Sequence, residues 1–360
     1  MNSQPTIKKE TKNKIRVEFD RTPLKERLKA KFGNMAFYTD VVWYIFRFVI
    51  LLGVSYIVLY PFFAKIAASF MSPDDFIDVT VMLIPKYPSF DQYKYIFIEQ
   101  EYISAFFNTL FLSLSTALCQ TFVACLVGYG LAKFKFKGNS LVMGAVILTM
   151  VIPHGTLYLS MFMEFRYFDV FKLFGIFKDF TCFGLFEEPI FSYNGIIELI
   201  AGKSPDLTGT FWPMIILSIT GLAFKNGLYI FMMRQFFRGV PDELEESAYI
   251  DGSGVFRTFM QIIIPLSIPM MITIFLFAFS WQWTDNFYVE MFMQGNNETI
   301  LMPDIVGVPT SLNIDHPGMD LYKSAVHNTC GIMIILPLVI MYLFCQKFLV
   351  QGIERSGIVG

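Results

Sequence analysis

Apolar and polar positions fall along this chain in long blocks rather than at short period. Six blocks reach the roughly twenty mostly apolar residues that a membrane-crossing helix requires: residues 41–64, 105–133, 141–163, 211–233, 266–283 and 325–348. Between the fourth and fifth lies a polar stretch, residues 234–265, with a different pattern. There Leu244, Ala248, Val255, Phe259 and Ile262 recur at helical spacing, which gives each half one apolar face. Pro241 suits a first helical turn, because its missing N–H needs no partner there. Asp242, Glu243, Glu245 and Glu246 bring negative charge to the positive end of that helix. Asp251-Gly252-Ser253-Gly254 supplies a turn, with Gly252 free to take positive φ and Ser253 or Asp251 placed to cap the second helix. The pattern predicts a helix-turn-helix. An amphipathic hairpin between two spans needs something to dock against, which marks it as a partner-binding element.

Composition agrees with the blocks. Hydrophobic residues make up 54% of the chain and charged ones only 16%, against about a quarter charged in soluble domains. The chain is expected to be an all-α integral membrane protein with six spans. A net charge of −2 gives no sign of nucleic-acid binding, but the distribution of charge is informative. Lys8, Lys9, Lys12, Lys14, Arg16, Arg21, Lys25, Arg27, Lys29 and Lys31 crowd the start; an apolar signal segment would lie nearer residue 1, so this tail is expected to stay on the protein. Lys133, Lys135 and Lys137 follow the second block, and Asp74, Asp75, Asp78, Asp91, Glu99 and Glu101 lie between the first and second. Alternating spans with basic loops inside puts both termini and the hairpin in the cytoplasm. The organisation expected is a basic tail (1–40), a first span with its outer segment (41–104), a core (105–348) containing the hairpin and a long outer insertion (164–210), and a cytoplasmic tail (349–360).

Several runs carry a family resemblance. Glu246-Ser247-Ala248, then Gly252, then Ile262-Ile263-Ile264-Pro265 is similar, at the same spacing, to the "EAA" loop of ABC-type importer permeases. Ser247 stands where that loop has alanine and Ile264 where it has leucine. Asn108-Thr109-Leu110, the run from Gly128 to Phe134, Met233-Arg234-Gln235-Phe236-Phe237 and the tail from Gln346 to Gly352 resemble the second permease of maltose-type carbohydrate importers. The likeness runs from about residue 106 to the C-terminus, with a weaker match at 56–69; the long 164–210 insertion departs from it. The resemblance implies a type I ABC importer permease fold in the bacterial inner membrane. It also implies three partners: a second, homologous permease, a dimeric cytoplasmic ATPase and an extracytoplasmic sugar-binding protein. ATP and Mg would bind the ATPase, leaving no cofactor on this chain. Glu246, Ser247, Ala248, Asp251, Gly252, Ile262 and Pro265 would then couple to the ATPase.

Other chemistry is sparse. No G-x-x-x-x-G-K-[ST] phosphate cradle is present. His154, His316 and His327 are far apart and have no ligand spacing, so no metal site is expected and a packed, hydrogen-bonded histidine suits His154 and His327. The cysteines at 119, 125, 182, 330 and 345 show no disulfide framework. Lys225-Asn226 interrupts the fourth block about two turns from its inner end, and two readings compete: a place on the transport path, or a lysine whose stem snorkels to the interface. Asp285 and Asn286 follow Trp281 and Trp283 in a run like one found in sugar permeases; they suit either the outer mouth of the path or a helix cap. Trp43, Trp212, Trp281 and Trp283 fall near block ends, and an interface belt suits most of them. The aromatic insertion fits contact with a binding protein or sugar, or helices lying in the membrane interface. A membrane enzyme lacks its acid–base cluster here, and a secondary transporter its internal repeat. The resemblance therefore implies a sugar importer permease, with a permease for a non-sugar solute as the alternative.

Overall fold

The computed structural model describes residues 6–11, 14–18, 25, 32–33, 35–169, 204–293, 299–313 and 319–357. Most of the 164–210 insertion, with Cys182, and residues 314–318, with His316, lie outside the described residues. The chain divides into two units, Met1–Ala67 and Ala68–Gly360.

In the first unit, β1 (Thr6–Thr11) pairs antiparallel with β2 (Lys14–Glu18). Ile7 is the register partner of Val17 in this short ladder. α1 (Met35–Ala68) follows, 34 residues with Pro61 inside it. At 1.5 Å per residue it is about 50 Å long, enough to cross a bilayer with turns to spare.

The second unit is built around α3 (Tyr102–Lys133), which follows the shorter α2 (Asp91–Glu99). Along one face of α3 the buried positions are mostly small: Ala105, Thr109, Ser113, Ala117, Thr121, Ala124 and Gly128. Small side chains let neighbouring helices approach closely where lipid supplies no hydrophobic drive. Phe107, Phe111, Leu114, Leu118, Phe122 and Leu126 form the opposite, exposed stripe. Against α3 pack α6 (Trp212–Thr220), α7 (Asn226–Arg238) and α10 (Ile264–Trp283), and α12 (Met319–Gly357) packs on α10. Gly128 marks the tightest crossing. A Cβ there would lie 2.7 Å from Met233 Cβ and 3.0 Å from the Arg234 backbone nitrogen.

Two of the six expected spans are not single helices. The third divides into α4 (Asn139–Val151) and α5 (Tyr158–Arg166), with a 3₁₀ turn between them and a bend of 93°. Pro153 forces Ile152 into extended backbone, and α4 ends there. The fourth stops at Gly221, φ +77°, and resumes after Lys225, φ +67°. Four helices among the described residues are long and apolar enough to cross a membrane, or five if the bent pair is one span. α12 continues through Gly357, so the C-terminal tail prolongs the last helix rather than forming a separate segment.

Candidate functional site: a clamped hairpin and an aromatic cavity

The hairpin begins later than its polar composition suggests, since α7 extends through Arg238. α8 (Glu243–Ile250) has Asp242 as its N-cap, so Pro241 precedes the cap instead of occupying the first turn. Gly252 takes φ +82°, donating to Tyr249 O, while the Ser253 N–H reaches back to Ala248 O at 2.9 Å. This left-handed turn is the reason for a glycine there. The next helix, α9 (Val255–Thr258), is capped by Gly254; neither Ser253 nor Asp251 serves. One π turn, Phe259–Ile263, then carries α9 straight into α10. Pro265 has no N–H for the Gln261 carbonyl, and the wider turn absorbs the missing bond, with Ile264 N–H bonding Phe259 O instead. The second arm of the hairpin is therefore the start of the following span.

Two residues of α3 hold the first arm. Lys133, whose side chain is only 7% exposed, donates to Val240 O at 2.7 Å and to Asp242 Oδ1 at 2.5 Å, and lies 3.6 Å from Glu245 Oε1. Tyr129 donates to the other oxygen of Glu245 at 3.2 Å, and its ring packs 4.7 Å from that of Phe259. The Lys133 hydrogen bond holds the Asp242 carboxyl below the ordinary range. The 128–134 run thus anchors the hairpin, a role its likeness alone did not assign. The signal was present in the sequence: a tyrosine and a lysine one turn apart at the end of an apolar block, close to a surplus of acid.

The expected apolar face is divided. Ala248 and Phe259 are buried and Ile262 is partly buried, whereas Leu244 and Val255 are exposed. Glu246, Ser247, Asp251, Gly252 and Pro265 are also exposed. Ile250 at 86% and Phe256 at 74% project furthest, flanking the turn. Large apolar side chains this open at a polar turn mark an interaction surface.

A cavity of about 500 Å³ lies at the break between α6 and α7, lined by Gln120, His154, Phe224, Trp281, Gln282, Asp285, Asn286 and neighbours. Lys225 Nζ sits 4.6 Å from the Phe224 ring centroid and 5.0 Å from that of Trp281. Lys225 is the N-cap residue of α7, about two turns before the end of the fourth block at Met233, and the helix runs on through Arg238. Asn226 is fully buried, and neither polar atom of its side chain has a partner among the described residues. Asp285 accepts from Phe287 and Tyr288 N–H at 3.1 and 3.2 Å, capping α11 (Phe287–Phe292), and burial pushes its carboxyl up to about 6. Asn286 donates to Glu290 at 2.5 Å. Of the four path candidates, then, Asp285 and Asn286 line the cavity, Lys225 covers two of its rings, and Asn226 is packed beside it in the break. His154 meets Phe224 edge-on at 4.8 Å, a ring contact in place of the expected hydrogen bond. Trp283 is not in an interface belt: it is 1% exposed and donates to Ile334 O at 2.9 Å. Among the described residues no cluster of three His, Cys, Asp or Glu is placed to hold a metal ion.

Comparison with known proteins gives a consistent picture. Residues 120–355 match the family described as binding-protein-dependent transport system inner membrane component. The chain is 26% identical over 309 residues to the arabinooligosaccharides transport system permease protein AraQ of Bacillus subtilis, covering 85% of this chain and 92% of the relative. It is 26% identical over 323 residues to the galactooligosaccharides transport system permease protein GanQ of the same organism (88% and 95%). The maltodextrin transport system permease protein MalD of Streptococcus pneumoniae is 25% identical over 310 residues (85% and 92%). A chain in the crystal structure of a bacterial ABC transporter that imports the acidic polysaccharide alginate shares the fold. Its TM-score is 0.59 at 19% identity, over 86% of this chain and 97% of that one.

Proposed function

The chain belongs to the family of binding-protein-dependent transport system inner membrane components, and from that premise we propose that it is one of two membrane subunits of an ATP-driven oligosaccharide importer. It is a transporter subunit, not an enzyme. Relatives named for arabino-, galacto- and maltodextrin oligosaccharides support the substrate class. The hairpin carries the mechanistic reading. One side is fixed to α3 through Lys133 and Tyr129, and the other presents Ile250 and Phe256 to a partner. Such an element transmits motion in both directions: force on the exposed side reaches α3 through the clamp and α10 through the continuous second arm. The partner is a cytoplasmic ATPase dimer. A second permease completes the path, and a binding protein delivers substrate from outside. Both termini and the hairpin face the cytoplasm, the six apolar blocks all lie within the membrane, and the cavity at the α6–α7 break is a section of the path. Discontinuous helices mark binding sites in other transporters, because their ends offer free backbone groups and dipoles.

The test is Phe256→Asp. A charge at the centre of an apolar contact should detach the ATPase from the complex purified through this chain and abolish uptake, with membrane insertion unchanged. Full retention of the ATPase by the variant would remove the hairpin from the contact.

A further inference from the structure

The charge at the α6–α7 break has no counterpart among the described residues. Lys225 occupies left-handed backbone, φ +67°, a conformation that glycine adopts freely and that costs a side-chain-bearing residue about 1–2 kcal/mol. Its ammonium is held over Phe224 and Trp281, both of which line the cavity. Among the described residues no carboxylate lies within 4.0 Å of it, and it donates none of the hydrogen bonds found there. Asp285, the acid lining the cavity, already accepts from two backbone N–H groups and lies 3.4 Å from the Gln282 amide. Lys225 is partly exposed and reaches the cavity through the Phe224 and Trp281 rings, and a charge within a membrane-spanning block is costly without a partner. Strained backbone, an unpaired cation and an open cavity therefore coincide.

Accepting the cavity as a section of the path, we infer that it receives a sugar unit carrying an anionic substituent, a carboxylate such as that of a uronic acid, with Lys225 as its charge partner. The remaining lining suits the rest of such a ligand. Trp281 is 51% exposed and offers a flat face to a pyranose ring. Gln120, Gln282 and Asn286 supply amides for hydroxyl groups. The volume falls within the ordinary range of small-molecule sites. Lysine acts on an anion as a mobile point charge, which fits a site that must release its ligand onward.

The experiment uses the assembled complex, purified through this full-length chain into nanodiscs without the binding protein. Equilibrium binding of labelled trigalacturonate and labelled galactotriose is compared. A hydrogen-bonded charge pair predicts roughly 10- to 100-fold tighter binding of the uronate at low salt. Lys225→Asn keeps a residue that tolerates left-handed backbone but removes the charge. It should equalise the two ligands by weakening the uronate alone, while Lys225→Arg keeps the preference. If wild type binds both trisaccharides equally, or Lys225→Asn retains the preference, the charge assignment is wrong and the cavity remains a saccharide site. If neither trisaccharide binds, the path reading fails along with it.

Discussion

Removing the amine of Lys133 tests whether the hairpin is rigidly held, because that one group ties three points together. In Lys133→Met the aliphatic stem keeps its packing and only the ammonium is lost. The Val240 carbonyl loses a charge-assisted bond of 2.7 Å, an interaction worth about 1.5–3 kcal/mol. The contact with Asp242 counts for little, because that carboxylate side chain is 78% exposed and solvent screens it. Glu245 decides the outcome. Its side chain is 10% exposed, and breaking a buried pair by removing one partner costs about 3–5 kcal/mol, mostly from the charge left behind. These terms overlap, so the combined loss is about 3–5 kcal/mol of hairpin docking. The assay is amide hydrogen exchange across residues 243–250 in the detergent-solubilised complex. At the low end of that range, protection should fall roughly 100-fold, since each 1.4 kcal/mol is a factor of ten. Adding Glu245→Gln removes the stranded charge while keeping an acceptor for Tyr129, so Lys133→Met/Glu245→Gln should recover about half of the loss or more. Unchanged protection in the single variant, or a double variant as damaged as the sum of its parts, would refute the clamp.

Other outcomes follow from local geometry. Gly128→Ala should lower the melting temperature of the complex, by an overpacking cost of about 1–3 kcal/mol at the α3–α7 crossing. Gly130→Ala, with open space at its Cβ position, should not; equal melting of the two would contradict the crossing. Gly252→Val should abolish uptake with the chain still inserted, whereas Gly252→Asn, tolerant of positive φ, should retain most of it; normal uptake by the valine variant would remove the turn from the mechanism. In a cysteine-free background, Ser253→Cys should resist an impermeant thiol reagent in intact cells and react in inverted vesicles, and labelling from outside would reverse the topology.

Sequence patterning anticipated the helical, apolar core and the positive-φ turn at Gly252 because both follow from local rules: block hydrophobicity, and glycine in a tight turn. It did not show that the backbone helix itself stops within the third and fourth blocks. A hydropathy block reports apolar composition, which α6 and α7 share across their gap, and says nothing of backbone continuity. Pro153 was readable as a kink, but the size of the bend depends on packing. Glu245 read as one of several helix-start acids, whereas its pairing with Lys133 and Tyr129 joins residues more than a hundred positions apart. Trp283 is an exception to the interface belt for the same reason, since its indole bonds a carbonyl of α12. Lys225 was legible as an interruption, but not the cavity beside it, which takes residues from five separate stretches of chain.

We propose that this chain carries oligosaccharides inward under the power of a separate ATPase acting through the hairpin. The most direct measurement places the complex, purified through this chain, in proteoliposomes with ATP inside and the binding protein with labelled oligosaccharide outside. On that proposal, accumulation requires ATP and the binding protein and disappears in Gly252→Val, although the complex still assembles. Accumulation without ATP, or undiminished accumulation by the Gly252→Val complex, would contradict it.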